Sequence, residues 1–358
     1  ENENEIHLNF GDIKIETWSP EKPNLYDFEI KIDQDEVISY FGMREFGIKN
    51  VNGHKRLTLN GKPYFMNGLL DQGYWPESNL SPPSEEAMIF DIMFVKNSGF
   101  NMIRKHIKVE PSLFYYHCDR LGLIVWQDVV NGGMPHKPRF FIPINDSSEE
   151  GYEMLHRNNK EFRIQFEKFL IKSISSLYNV VSIGLWTLFN EGWGQFDSIR
   201  LTKLIIENVD NSRPIDRTSR FYDQGENAGQ FLSLHIYYGK IEIKQPKNDK
   251  RCLILSEFGG YSFKTDDLHQ FCPMNSFGYK VFDSISSFQE GFGSLYKDEV
   301  IPAIEKGLSA TVYTQLTDVE SEINGLLTYD RKIKKLPIEF LTEINNEIYK
   351  IYKKIVDV

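Results

Sequence analysis

Leu253-Ile254-Leu255-Ser256-Glu257-Phe258-Gly259-Gly260 is an apolar, strand-like run that closes on a carboxylate and opens onto a glycine pair. Leu188-Phe189-Asn190-Glu191-Gly192-Trp193-Gly194 repeats the arrangement. A charge at the end of a buried strand is costly unless partners or chemistry justify it. Two such glutamates, in a chain that otherwise alternates strands with helices, point to one task shared by two groups. Cleavage of a glycosidic bond is such a task, with one carboxyl as proton donor and the other as nucleophile.

Outward from these runs the pattern is regular. Tyr64 to Gly68 reads as a strand, and Ser84 caps a helix whose apolar positions Met88, Ile92 and Val95 recur at helical spacing. Phe100 to Ile103 reads as strand, Pro111 to Leu121 as helix and Leu123 to Trp126 as strand. A helix is expected over Lys160 to Leu177, a strand over Val181 to Phe189, a helix over Ile199 to Val209 and a short strand over Ile215 to Ser219. Phe231 to Tyr237, Cys252 to Ser256 and Ala310 to Leu316 complete the strands, and a last helix covers Ile338 to Tyr352. Eight strands mostly alternating with helices in this length predict an α/β chain built as a (β/α)8 TIM barrel. A doubly wound open sheet would want a glycine-rich phosphate loop after its first strand, and the sequence has none there.

The first fifty residues differ. Ile13 to Trp18 and Tyr26 to Ile32 alternate with period two around the turn cluster Ser19 to Asn24, and Val37 to Phe46 supplies another strand. These read as the tail of a β-sandwich, giving a partial sandwich over 1–50 and a barrel over 51–358. A sheet without its partner leaves its inner face uncovered, so an apolar surface is expected near residues 1–50, and such a surface favours self-association into a homo-oligomer.

Bulk composition narrows the partners. The net charge of -10 argues against a nucleic-acid partner, which would need a concentrated basic patch. No apolar run approaches the length of a membrane span. Cys118, Cys252 and Cys272 are too few and wrongly spaced for a disulfide framework or a zinc knuckle. The aromatic share of 14% allows sugar-stacking platforms, although core filling accounts for most of it.

Several further stretches carry a family resemblance. Trp18-Ser19-Pro20-Glu21-Lys22-Pro23-Asn24-Leu25-Tyr26, Phe41-Gly42-Met43-Arg44 and Leu59-Asn60-Gly61-Lys62-Pro63 stand in order before the barrel. Gly99-Phe100-Asn101-Met102-Ile103-Arg104 and Cys118-Asp119-Arg120-Leu121-Gly122-Leu123-Ile124-Val125-Trp126 follow within it. Together with the Asn190-Glu191 pair they resemble the family 2 glycoside hydrolases, the group of β-galactosidases, β-glucuronidases and β-mannosidases. The resemblance implies that residues 1–50 are part of an immunoglobulin-like β-sandwich. It also implies that the family's N-terminal jelly-roll domain has no counterpart in this sequence. For activity it implies a retaining exo-β-glycosidase, β-galactosidase-like, acting by double displacement, with Glu191 as acid/base and Glu257 as nucleophile. The alternative is a non-catalytic carbohydrate-binding fragment on a truncated barrel.

On a barrel, polar residues at the C-terminal strand ends converge on one mouth. Those ends carry Asp71, Arg104, His106, Asp128, Asn190, His235, Tyr237, Tyr313 and Gln315 beside the two glutamates. Asn190, Arg104, His106, Asp128, His235, Tyr237 and Trp193 form the expected sugar-binding shell, with Asn190 placed to hydrogen-bond the sugar 2-hydroxyl. Asp128 reads as a support for Arg104 or a sugar ligand, and Trp193 and Trp75 read equally as sugar platforms or loop anchors. A carboxylate clamp of the β-glucuronidase type is not evident after Glu257, nor a magnesium-ligand run after Asp128. No metal or cofactor is expected, and the sugar stays undetermined.

Overall fold

The computed structural model describes residues 11, 14–132, 143–225 and 229–357. Its centre is an eight-stranded parallel sheet rolled into a nearly closed barrel. Its strands in chain order are β6 (Met66–Asp71), β7 (Met102–Lys105), β8 (Ile124–Asp128), β9 (Ile183–Thr187), β10 (Ile215–Asp216), β11 (Phe231–Ile236), β12 (Cys252–Gly259) and, after the separate pair β13 (Tyr261–Phe263) and β14 (Lys280–Phe282), β15 (Leu308–Thr314). The ladder runs β10-β9-β8-β7-β6-β15-β12-β11. Side chains stitch the remaining seam: the Gln230 side chain accepts from the Ile215 N–H, and Ser233 donates to Asp216.

Alternation along each strand divides the apolar residues into two shells. Met66, Leu70, Met102, Ile124, Trp126, Leu185, Phe231, Ile254 and Val312 fill the interior of the barrel. Their neighbours Leu69, Ile103, Val125, Trp186, Leu253 and Leu255 face outward into a shell built with helices α1 (Glu85–Asn97), α2 (Ser112–Leu121), α3 (Glu149–Met154), α4 (Lys160–Ser176), α5 (Ser198–Asn208), α6 (Ile285–Ser294), α7 (Ile301–Glu305) and α8 (Ile338–Val356). Ser84 caps α1 as expected, accepting from the Ala87 N–H, and Asn159 caps α4 through the Phe162 N–H.

Strand edges lie within three residues of their expected places, and the starts at Ile215, Phe231 and Cys252 are as expected. The first two strands begin at Met66 and Met102 rather than at Tyr64 and Phe100. The strand expected over Ile215 to Ser219 keeps only a two-residue ladder. Beyond it the backbone stays joined irregularly, with Leu188, Glu191 and Gly192 donating to the carbonyls of Asp216, Ser219 and Thr218.

Before the barrel, β1 (Tyr26–Ile32) and β2 (Asp35–Phe41) form an antiparallel hairpin, the part of the immunoglobulin-like sandwich seen among the described residues. Ile30, Ile32, Val37 and Ile38 on it are exposed, so the expected apolar surface is there. Strand β3 (Phe46–Val51) pairs with β4 (His54–Leu59), which pairs with the short β5 (Lys62–Pro63). This hairpin crosses the division expected at residue 50. It belongs with the barrel because Phe46, Leu57 and Leu59 plug its N-terminal end. Of the strand expected over Ile13 to Trp18, Ile13 lies outside the described residues, and 14–18 form no strand. Burial overrides the alternation there: the Trp18 ring is wholly enclosed in the barrel plug and its indole N–H donates to the Asp119 carbonyl at 2.7 Å.

The plug is therefore part of the folding unit. Trp18→Ala removes a fully buried ring and should cost about 3–5 kcal/mol, read as a lower urea midpoint with an unchanged slope. A loss below about 1 kcal/mol would mean that residues near 18 do not contribute to the barrel's stability.

Candidate active site

The mouth is organised around Arg104, the inward-facing residue near the end of β7. Its side chain has no solvent exposure. Nε and Nη2 each lie 3.0 Å from the two Asp128 oxygens, a bidentate pair. Nη2 also donates to Asn190 Oδ1 at 2.7 Å, and Nη1 to the Ser256 carbonyl at 2.8 Å and to Glu257 Oε1 at 3.2 Å. Burial alone would drive the guanidinium's pKa down, but the Asp128 and Glu257 charges hold it above its ordinary value. Because Asn190 accepts through its oxygen, its amide nitrogen is the atom left to donate elsewhere.

Glu257 reaches this position through a β-bulge. Leu234 pairs with Leu255 and His235 with Glu257, so Ser256 is an extra residue in β12. Strict alternation from the outward Leu253 and Leu255 would turn Glu257 away from the axis; the inserted residue brings it inward beside Ser256. Tyr237 donates a short hydrogen bond to Glu257 Oε2, and its hydroxyl also lies 3.0 Å from Thr314 Oγ1. Burial, reinforced by the Glu257 charge, pushes the Tyr237 phenol well above its ordinary pKa. The Tyr237 ring stacks on Tyr279 with centroids 4.0 Å apart and planes 8° from parallel.

Glu191 is not at a strand end. Strand β9 stops at Thr187, and Glu191 sits in the 3-10 turn Asn190–Gly192 with φ 50 and ψ 26. A left-handed glutamate is uncommon and persists only where its surroundings dictate it. Here its N–H is tied to the Ser219 carbonyl, and Gly192 follows with φ +65 against the Tyr222 ring, where a Cβ has no room. His235 Nδ1 lies 3.0 Å from Glu191 Oε1 and 3.4 Å from Glu257 Oε2, and Trp193 Nε1 donates to Glu191 Oε2 at 3.5 Å. Burial pushes the Glu191 carboxyl up, but the bond and charge of His235, with help from Trp193 and His106, outweigh it and leave its pKa below the ordinary value. His106 lies 3.9 Å from Glu257; burial lowers its pKa against the pull of the Glu257 and Asp128 charges.

All nine residues expected from sequence thus meet at one mouth: Glu191, Glu257, Asn190, Arg104, His106, Asp128, His235, Tyr237 and Trp193. Asp71 and Tyr313 do not, because they lie on the outward phase of β6 and β15. Asp71 pairs with Lys105, and the Tyr313 hydroxyl donates to the Tyr261 carbonyl among Phe258, Phe292 and Tyr296. Gln315 belongs to an adjoining polar group with Gln72, Glu322 and Asn324. Trp75 is a loop anchor, its ring covered by the Arg331 guanidinium at 3.9 Å.

Sequence reading missed Asp216, Ser219, Ser233, Ser256, Tyr279, Thr314 and Glu322. Ser233 was detectable, since Ser233, His235 and Tyr237 recur every second residue on one strand. Glu322 and Tyr279 come from long connections with no local pattern. Burial pushes the Glu322 carboxyl up, and the nearby Glu257 charge adds to it.

Oxygens of Glu191 and Glu257 and a nitrogen of His235 all lie within 4.8 Å of one another. The same trio is the donor set of a divalent cation. Arg104 and Tyr237 each donate to one Glu257 oxygen and His235 stands between the two glutamates, the contacts of an acid-base group.

The description "Glycosyl hydrolases family 2, TIM barrel domain" matches residues 50–335, and "Glycosyl hydrolases family 2" matches residues 2–49. A β-galactosidase of Priestia megaterium is 23% identical over 309 residues, 83% of this chain and 28% of that protein. One from Lactobacillus delbrueckii subsp. bulgaricus is 27% identical over 202 residues, 53% of this chain and 18% of that protein. Among solved structures, a β-galacturonidase from Eisenbergiella tayi bound to galacturonate superposes with TM-score 0.69 and 21% identity, over 93% of this chain and 60% of that one. A β-D-glucuronidase of Dictyoglomus thermophilum gives 0.68 and 17%, over 93% and 59%. The chain therefore spans 18% and 28% of the two β-galactosidases, and the structural likenesses concern the fold.

Removing the central cation tests the electrostatics of the mouth. Arg104→Met leaves Asp128 and Glu257 buried without their counter-charge and should cost about 3–5 kcal/mol of stability in urea unfolding. A change within about 0.5 kcal/mol would show that the two carboxylates do not depend on Arg104.

Proposed function

The chain belongs to glycosyl hydrolase family 2, and on that premise we propose that it is a retaining exo-β-glycosidase with Glu257 as nucleophile and Glu191 as acid/base. The observation that carries this reading is the approach of the two carboxylates, with oxygens within 4.8 Å of each other. Retaining enzymes keep their carboxyl groups about 5–5.5 Å apart, whereas inverting ones leave about 6.5–9.5 Å for a water.

The division of labour follows from the surroundings. Glu257 is buried and receives hydrogen bonds from Arg104 and Tyr237, which hold its carboxylate in one orientation, as a nucleophile requires. It attacks the anomeric carbon and forms a glycosyl ester as the bond to the leaving oxygen breaks. Glu191 is more exposed than Glu257, at 28% against 5%, and stands at the entrance where a leaving group would sit. It donates a proton to that leaving oxygen and then removes one from the water that hydrolyses the ester. Its lowered pKa in the free site suits the second step. For the first, a bound sugar that excludes water from Glu191 deepens its burial and pushes the pKa back up. The free Asn190 amide nitrogen supports a contact to the sugar 2-hydroxyl, and Arg104, Asp128, His106, His235, Tyr237 and Trp193 complete the binding shell.

Residues 1–50 are proposed as the sandwich part, apart from Trp18 and β3, which plug the barrel, and 51–358 as the catalytic barrel, with carbohydrate as the partner. A terminal β-galactoside is the proposed substrate, from the β-galactosidases named above. A uronide is the second reading, favoured by Arg220. Its guanidinium lies over the Phe221 ring at 5.0 Å, on the chain segment that follows Ser219 beside Glu191, and feels the Glu191 charge.

A panel of nitrophenyl β-glycosides that includes galactoside, galacturonide and glucuronide identifies the sugar. Proton NMR of the first-formed product should show the β-anomer. Glu257→Gln should lower turnover at least about a thousandfold. A first-formed α-anomer, or near-wild-type turnover by Glu257→Gln, would contradict the mechanism. Saccharide binding without turnover of any member would favour a carbohydrate-binding module.

A further inference from the structure

We propose that Asp216, acting through a chain of three serine hydroxyls, fixes the tautomer of His235 and so keeps a proton available to Glu191. The inference rests on the reading of Glu191 as acid/base. It assigns a positioning role to Asp216, Ser233, Ser256 and Ser219, none of which reaches the mouth as a substrate contact.

The chain begins at the closing seam of the barrel. Asp216 ends β10, is buried, and accepts from Ser233 Oγ at 2.8 Å and from the Ser219 N–H at 3.3 Å. Ser233 Oγ lies 2.6 Å from Ser256 Oγ, the residue inserted by the bulge in β12. Ser219 Oγ lies 3.4 Å from Ser256 Oγ and 3.0 Å from His235 Nε2. The other ring nitrogen, Nδ1, meets Glu191 Oε1 at 3.0 Å. These serines are buried, so neighbouring side chains and carbonyls rather than bulk water set the direction of each hydroxyl.

Each hydroxyl has a single proton, and an ionised carboxylate only accepts. Ser233 gives its proton to Asp216, so Ser256 must donate to Ser233, Ser219 to Ser256, and His235 Nε2–H to Ser219. The competing acceptor for Ser256, the Leu234 carbonyl, is farther away at 3.3 Å. With Nε2 protonated, the contact between Nδ1 and Glu191 Oε1 must itself hold one proton, on the ring or on the carboxyl. If the Asp216 end donated instead, every bond would reverse. Nε2 would then accept, Nδ1 would carry the only ring proton, and the pair would hold one proton fewer.

The charged groups that bear on this balance come from several elements. Arg104 on β7 and His235 on β11 act on Asp216, Glu191 after β9 and Glu257 on β12 face His235, and His106 and Arg220 act on Glu191. Burial leaves the Asp216 carboxyl's pKa above its ordinary value, against the Ser233 bond, the Arg104 and His235 charges and the Ser219 N–H; the two bonds it accepts, from Ser233 Oγ and the Ser219 N–H, mark it as the accepting end of the chain. Phe221 closes the edge of the His235 ring with centroids 6.4 Å apart, limiting alternative orientations.

The test replaces the acceptor by a near-isosteric group that can donate. In Asp216→Asn the alkaline limb of the pH profile of kcat/KM should move down by about one pH unit or more, because the pair starts with one proton fewer. At a pH above the limb, an alkyl β-glycoside should lose about tenfold or more. A dinitrophenyl β-glycoside, whose leaving group needs no proton, should be nearly unaffected. A purely structural role would depress both substrates together. Ser219→Ala cuts the chain beside His235 and should act in the same direction, which keeps the test decisive if Asp216→Asn does not fold. Independently of turnover, nitrogen-15 NMR of the His235 ring should show Nε2 protonated in the wild type and Nδ1 as the protonated nitrogen in Asp216→Asn. Superimposable pH profiles, equal losses on both leaving groups or an unchanged tautomer would each overturn the proposal. If the wild type cleaves no β-glycoside, the acid/base reading fails by itself, and the tautomer measurement still decides whether the serine chain polarises His235.

Discussion

A single buried cation holds the mouth together. The Arg104 guanidinium satisfies both oxygens of Asp128, one oxygen of Glu257, the Asn190 side chain and a strand carbonyl, all without contact with water. Such a group is expensive to bury, and only several charge-assisted hydrogen bonds of good geometry offset the lost hydration. It thereby fixes residues from β8, β12 and the turn after β9 in one frame. Lysine could supply the charge but not the planar fork that serves Asp128 and Asn190 together.

Two departures from regular backbone then bring the glutamates face to face. An extra residue in β12 turns Glu257 inward, and a left-handed turn lifts Glu191 over the rim of β9. His235 stands between them, within 3.0 Å of one and 3.4 Å of the other. Because the imidazole touches both, it joins the two glutamates into one hydrogen-bonded group. The lowered pKa of Glu191 is a property of that trio, and it changes with whatever fixes the imidazole. That links the mouth to the seam between β10 and β11, where the barrel is closed by side chains instead of a backbone ladder.

Much of this was legible in the sequence because burial and function left periodic traces. The barrel followed from eight apolar runs spaced by helical patterns, and the nine mouth residues followed from their places near strand ends and from the family resemblance. Asp71 and Tyr313 were misplaced for one physical reason: a strand end has two faces, and position alone does not say which points inward. The alternation of Leu70 and Val312 against them would have said so. The bulge at Ser256 reverses the phase of its strand, and a bulge leaves no mark in composition. Trp18 broke its expected strand because one fully buried ring outweighs local alternation. Glu322 and Tyr279 arrive on long connections, whose paths depend on tertiary packing.

In the proposed mechanism Glu257 forms a covalent bond to the sugar while Glu191 handles protons. A 2-deoxy-2-fluoro β-glycoside of the preferred sugar with a dinitrophenyl leaving group tests it most directly. Fluorine slows both steps by destabilising positive charge at the anomeric carbon, and the good leaving group restores only the first, so the intermediate accumulates. Peptide mapping by mass spectrometry should then find one sugar on the peptide that contains Glu257. A label on Glu191, or rapid turnover of the parent glycoside with no label on Glu257, would contradict the account.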